Sequence, residues 1–106
     1  MSLPRKPRAQ RRAASRRDAK VVRDKERLAS LEPGGTPEHP IEVVTAALVA
    51  PKARAMPCPV CDEAVRVEDH TARTIAGVPL RLAHVACPWC GHSRIVYFAV
   101  RSALPN

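Results

Sequence analysis

Four cysteines stand in two matched pairs, Cys58-Pro59-Val60-Cys61 and Cys87-Pro88-Trp89-Cys90, with 25 residues between the pairs and no other cysteine in the chain. A C-x-x-C turn brings two sulfurs close enough to share one ion. Two such turns brought together supply four thiolates in a tetrahedron, which is the geometry of a structural zinc site. The thiolate is the species that binds, so metal uptake expels protons and becomes folding energy. Proline at the second position stiffens each turn. Gly91, directly after the second pair, lets the backbone fold back with its N–H groups toward sulfur. The expected ligand set is Cys58, Cys61, Cys87 and Cys90, holding one Zn2+ per chain. Four sulfurs leave no open coordination position, so catalysis at the metal is not expected.

Other sulfur chemistry competes with this reading. A pair of disulfides belongs to secreted chains, and the basic N-terminus is not followed by the apolar stretch of a signal peptide. A thioredoxin-like redox centre needs a βαβ context around one C-x-x-C, and the sequence has none. Iron remains the minor alternative, because thiolate tetrahedra suit both metals. Rubredoxin-like proteins also carry two C-x-x-C turns, the second often followed by Gly as at Cys87–Gly91, but they surround the metal with aromatics. This chain has only Trp89, Tyr97 and Phe98.

From about Ala53 to Val100 the chain resembles the zinc-ribbon family, on the strength of its two CPxC knuckles flanked by strand-like sequence. The resemblance implies that the four cysteines are the metal ligands. It also implies a sheet of three to four short antiparallel strands beside the metal, near residues 53–57, 63–69, 79–86 and 94–100. Two features depart from the family pattern. Asp62 follows the first knuckle where Gly is common, and the loop between pairs is longer than the usual 15–20 or so residues.

Other candidate residues carry less chemistry. His92 follows the second knuckle and is expected at the surface. His84 is expected to be partly buried and hydrogen-bonded, and His39 and His70 to lie in turns. No Ser/His/Asp set, Gly-rich phosphate loop or paired-carboxylate pattern stands out, so no enzyme is expected and no small-molecule substrate. Trp89 has two readings, either covering the metal and filling a thin core or standing on the knuckle tip to stack on a base.

Charge divides the chain. Residues 1–35 hold eleven Lys/Arg against four Asp/Glu, whereas the remaining 71 are nearly balanced, within an overall net charge of +8. Arg5, Lys6, Arg8, Arg11, Arg12, Arg16 and Arg17 cluster within thirteen residues. Cations at that density neutralise phosphates and release counterions, and arginine suits bidentate phosphate contact. The expected partner is nucleic acid, in an accessory role in transcription, translation or RNA handling. Arg66, Arg73, Arg81 and Arg94 are candidates for a selective face. The alternative is a protein-interaction adaptor whose basic arm meets an acidic protein surface. The longest uncharged apolar run, Val43 to Ala50, is eight residues, far short of the roughly twenty a membrane span needs. A cytoplasmic protein is expected, and the abundance of Ala, Arg, Pro and Gly suggests a bacterial, high-GC source.

These chemical groups need a scaffold. Val, Ile, Leu and Phe total only 23 of 106 residues, so the core is thin and a staple is expected. The sequence predicts a small metal-stabilised β fold behind a short helix. Residues 1–14, Arg-rich with Pro4 and Pro7, read as a disordered basic arm. Residues 15–32 read as a short basic helix with a narrow apolar stripe of Val21, Val22, Leu28 and Leu31, ended by Pro33 and Gly34. Residues 33–40 read as a linker and 41–106 as the metal-stapled domain. Within it Ile41–Val49, Val65–Glu68, Leu80–His84 and Arg94–Arg101 read as strands, and Thr71–Pro79 as a turn.

Overall fold

The computed structural model describes residues 8–101, with side chains from Asp18 onward. The element order is α1 (Arg8–Leu31), β1 (Ile41–Val43), a single 3-10 turn (Ala46–Leu48), α2 (Val49–Ala55), β2 (Arg66–Ile75), β3 (Val78–Ala86) and β4 (Ser93–Val100). The strands form one sheet in the order β1-β4-β3-β2. The β2–β3 and β3–β4 pairs are antiparallel. β1 runs parallel to β4, with Ile41 opposite Phe98 and Val43 opposite Val100, where an all-antiparallel ribbon was expected. The connection from β1 to β4 passes through the whole of α2, β2 and β3, and that length permits a parallel return.

Alternation on the strands builds the core. Ala83 and Val85 of β3 face the same side as Val96 and Phe98 of β4, and with Val43, Val49 and Ala53 they form the main buried cluster. Phe98, Val49 and Val96 are fully enclosed. Each such side chain contributes about 1.5–3 kcal/mol by leaving water. The opposite face carries Leu80, Leu82 and Ala99 as a second, smaller cluster, flanked by Ile95 and Tyr97.

Three local expectations are corrected. The segment 53–57 is not a strand, because α2 occupies Val49–Ala55. Its sequence VAPKARA places Pro51 in the first turn, where a missing N–H costs nothing, and fills the rest with strong helix formers. Val49 and Ala53, four apart, put both small apolar groups on one buried face. Ile41–Val49 forms a strand only over its first three residues, since the alanines after Thr45 favour a helical turn. β2 continues to Ile75, so the turn expected over 71–79 shrinks to Ala76-Gly77, both at positive φ. A register shift between Val67 and Asp69 interrupts β2.

The N-terminal third also differs. α1 begins at Arg8, not near Ser15. Residues 8–14 are Arg, Ala and Gln, all good helix formers, and Pro7 stands just outside where proline is tolerated. Arg5 and Lys6 lie outside the described residues, as does the rest of the arm before Arg8. The segment after α1 is not a tether. Gly34 is buried, accepts the Tyr97 N–H at 2.9 Å and donates to the His39 carbonyl at 2.7 Å. It sits at φ +86°, and a Cβ there would meet Ile41 Cδ1 at 2.8 Å and Val96 Cγ1 at 2.9 Å. Only glycine fits, and the turn locks α1 onto the edge of β4.

Candidate metal centre

The two C-x-x-C turns adopt one backbone pattern. In the first, the Asp62 N–H donates to the Cys58 carbonyl at 2.8 Å and the Cys58 N–H to the Glu63 carbonyl at 2.9 Å. In the second, the Gly91 N–H donates to the Cys87 carbonyl at 3.0 Å and the Cys87 N–H to the His92 carbonyl at 2.8 Å. The residue after each pair takes the left-handed conformation, Asp62 at φ 65° and Gly91 at φ 78°. Aspartate tolerates that region because its short polar side chain can bond locally. The departure from glycine at Asp62 therefore leaves the turn unchanged.

The first knuckle follows α2 and leads toward β2, while the second joins β3 to β4. The strand pairing brings them together, and all four Sγ atoms lie within 4.8 Å of one another. The nearest neighbours sit across the knuckles, Cys58–Cys90 at 3.6 Å and Cys61–Cys87 at 3.4 Å. A tetrahedron with metal–sulfur bonds of about 2.3 Å has edges of roughly 3.8 Å. The cysteines are free thiols, with Cys58 and Cys87 buried and Cys90 exposed. This four-cysteine group could hold a metal ion.

The thiols are electrostatically unequal. The Cys90 N–H, against the opposing effect of burial and with help from the Trp89 N–H, lowers Cys87 to about 7. At Cys61 the Glu63 backbone contact lowers the value, but burial and hydrogen bonds with Cys87, Cys90 and Cys58 outweigh it and push the thiol up to about 12. Cys90 is also raised, burial and Cys58 overcoming its His92 backbone contact. Four thiols at this spacing cannot all ionise by themselves, because each new anion meets the last. A bound cation removes that penalty.

α1 clamps the pair of knuckles. Lys25 Nζ donates to the Val60 carbonyl in the first knuckle at 2.9 Å. Glu26 Oε1 lies 3.8 Å from His92 Nδ1 beside the second. Ala29 is buried between these contacts. His92, expected at the surface, is thus drawn half under the helix. Between α1, the end of α2 and the first knuckle lies an open cavity of about 650 Å³, lined by Leu28, Met56, Pro57 and Val60 among others.

The remaining candidate residues fall as follows. Trp89 is 75% exposed on the tip of the second knuckle, so it neither covers the metal site nor fills the core. Pro88, Cys90 and Gly91 beside it are exposed too. Arg8, Arg11, Arg12, Arg16 and Arg17 belong to the α1 backbone. The four strand arginines do not share one face. Arg94 and Arg81 pair across from Val85 and Phe98, whereas Arg73 and Arg66 pair across from Leu80 and Ala86 on the other side. Arg94 is also half-buried, with Nε hidden and without a hydrogen-bond partner, and burial lowers its pKa against the pull of Cys58 and Glu32. His84 is partly buried and bonds Thr71 Oγ1 at 3.3 Å, as expected. His70 lies on β2 and not in a turn. Sequence reading missed Lys25 and Glu26 as knuckle contacts. Their spacing one residue apart on a basic helix carried no signal that could have revealed it. Among the described residues, no helix is long and apolar enough to cross a membrane.

No family model, curated protein or solved structure matches this chain.

Proposed function

We propose that the four cysteines hold one structural Zn2+ in a zinc-ribbon-like knot, and that the protein is a non-enzymatic nucleic-acid binder. The observation that carries the first part is the duplicated turn. Two CPxC segments with the same hydrogen bonds converge four sulfurs, and four thiolates close a tetrahedral ion to substrate. The nucleic-acid reading is supported by α1, which carries nine Lys/Arg against three Asp/Glu over 24 residues. Its charge is the kind that displaces counterions from a phosphate backbone.

Two measurements test this. Metal analysis of the purified chain is expected to return one zinc per chain and no visible absorbance, whereas a coloured protein would assign iron and electron transfer. Binding to labelled DNA and RNA is then followed across a salt series. A log–log slope of several units is expected, since each neutralised phosphate contributes about −0.7 to −0.9. Absence of binding at low salt, with capture of a purified acidic protein instead, would establish the adaptor alternative.

A further inference from the structure

The basic segment is a helix with a fixed anchor, and six of its nine cations follow one helical row. Resting on the nucleic-acid reading above, the geometry points to a narrower target: the N-terminal two thirds of α1 is an insertion element for the major groove of B-form duplex DNA, aimed by the metal knot.

Positions 8, 12, 16, 20, 23 and 27 follow one another at helical steps of four or three residues, and all are Arg or Lys. Such steps keep residues on one face. Lys20, Arg23 and Arg27, where side chains are described, are all exposed. The contacts to the knuckles come from Lys25, Glu26 and Ala29, centred about 120° around the helix from Arg23 and Arg27 at 100° per residue. Asp18 shares that docking side. Lys20, Arg23 and Arg27 therefore project away from the knuckle contacts, with Asp24 bordering them about 40° from Lys20 and Glu26 about 60° from Arg23.

The dimensions agree. Positions 8 to 23 span about 22 Å at 1.5 Å per residue, which covers six or seven base pairs at about 3.4 Å each. A helix of roughly 10–12 Å diameter enters a B-form major groove about 12 Å wide. The deep, narrow major groove of A-form RNA does not admit it. Residues 18–24 make no hydrogen bond or ion pair to the rest of the protein among the described residues, so this stretch is free to enter a groove. A single strand needs only charge, and would be met equally well by an unstructured arm.

The test separates helix from charge. Ala14→Pro keeps every cation and breaks the helix upstream of the anchored turn, while Ala14→Gln keeps both helix and charge. Metal-loaded full chains are titrated against a 20-base-pair DNA duplex, the same length of duplex RNA and single-stranded DNA at one salt concentration. The duplex DNA is expected to bind at least tenfold more tightly than the other two. Ala14→Pro should lose at least tenfold on duplex DNA while changing little on single strands, and Ala14→Gln should match the parent. The bound duplex should show guanine N7 protected from methylation, which reports the major groove. Metal content and NMR dispersion of the sheet confirm that Ala14→Pro retains the knot. Equal affinity of Ala14→Pro and parent for duplex DNA, or no preference among the three nucleic acids, overturns the groove assignment but leaves the broader reading standing. No binding to any of them at low salt overturns both.

Discussion

The two knuckles share a backbone and differ in everything around it. The first is packed, with α2 entering it, α1 crossing it through Lys25 and the Val60 carbonyl, and the sheet beyond. The second closes the β3–β4 connection and pushes its tip outward, leaving Trp89 and Cys90 exposed. The same four-residue turn thus serves once as a structural joint and once as a presented tip. Backbone hydrogen bonds determine the turn. Neighbouring elements determine which side of it meets water.

The largest effect expected is on the ligands, and it treats the knuckles alike. Cys58→Ser and Cys87→Ser each remove one buried sulfur from the same centre. Each should forfeit much of the roughly 10–16 kcal/mol that a structural zinc contributes, seen as loss of bound metal and of the cooperative melt. Wild-type thermal stability in Cys87→Ser would falsify a single four-sulfur centre.

A smaller effect separates the residue after each pair. Gly91→Val places a β-branched side chain at φ 78° with open space around it, so only backbone strain opposes it, at about 1–2 kcal/mol. Asp62→Gly relieves strain but loosens the unfolded chain, and should stay within about 1 kcal/mol of the parent. Urea midpoints of the metal-loaded proteins measure both, and an equal loss in the two variants would mean the turns are not equivalent.

The metal-free chain sharpens the comparison through pH. In the fold Cys87 lies at about 7 against an ordinary 9.0, so its contribution is present above pH 9 and is lost as pH falls through 7. Cys61 at about 12 behaves oppositely, contributing below pH 9 and losing that contribution as pH rises toward 12. Denaturation of the metal-free protein should therefore show greatest resistance near pH 9, declining on either side. A profile flat from pH 6 to 11 would show that the thiols do not hold these positions without metal.

The smallest effect is expected at the second tip. Trp89→Ala should change the metal-loaded stability by less than about 0.5 kcal/mol, as exposed positions do. A loss of 2 kcal/mol or more in a calorimetric melt would return Trp89 to the core.

Much of the centre was legible in the chain, because it depends on spacing. Two C-x-x-C pairs name their own candidate ligands once they meet, and β3 and β4 were readable from alternation at Leu80–His84 and the apolar run at Ile95–Val100. The errors have physical sources. α2 was hidden because VAPKARA is short, and proline looks like a breaker unless its place in the first turn is known. The segment 33–40 looked like a linker because Pro and Gly punctuate both tethers and tight packed turns, and only the approach of Ile41 and Val96 to Gly34 distinguishes the two. The strand arginines looked like one basic face because their register was unknown, and a one-residue difference in pairing changes the face.

What the sequence by itself determined is local: four thiols in two stiff turns, a basic helix, and strands whose alternation demands a core. These follow from covalent spacing and side-chain chemistry within a few residues. Only the tertiary structure decided that β1 returns parallel to β4, that the outer turn of each knuckle faces different surroundings, and that Lys25 and Glu26 of α1 hold the knuckles. Those are contacts between residues far apart in the chain, and their geometry exists only once the sheet has set the distance between them.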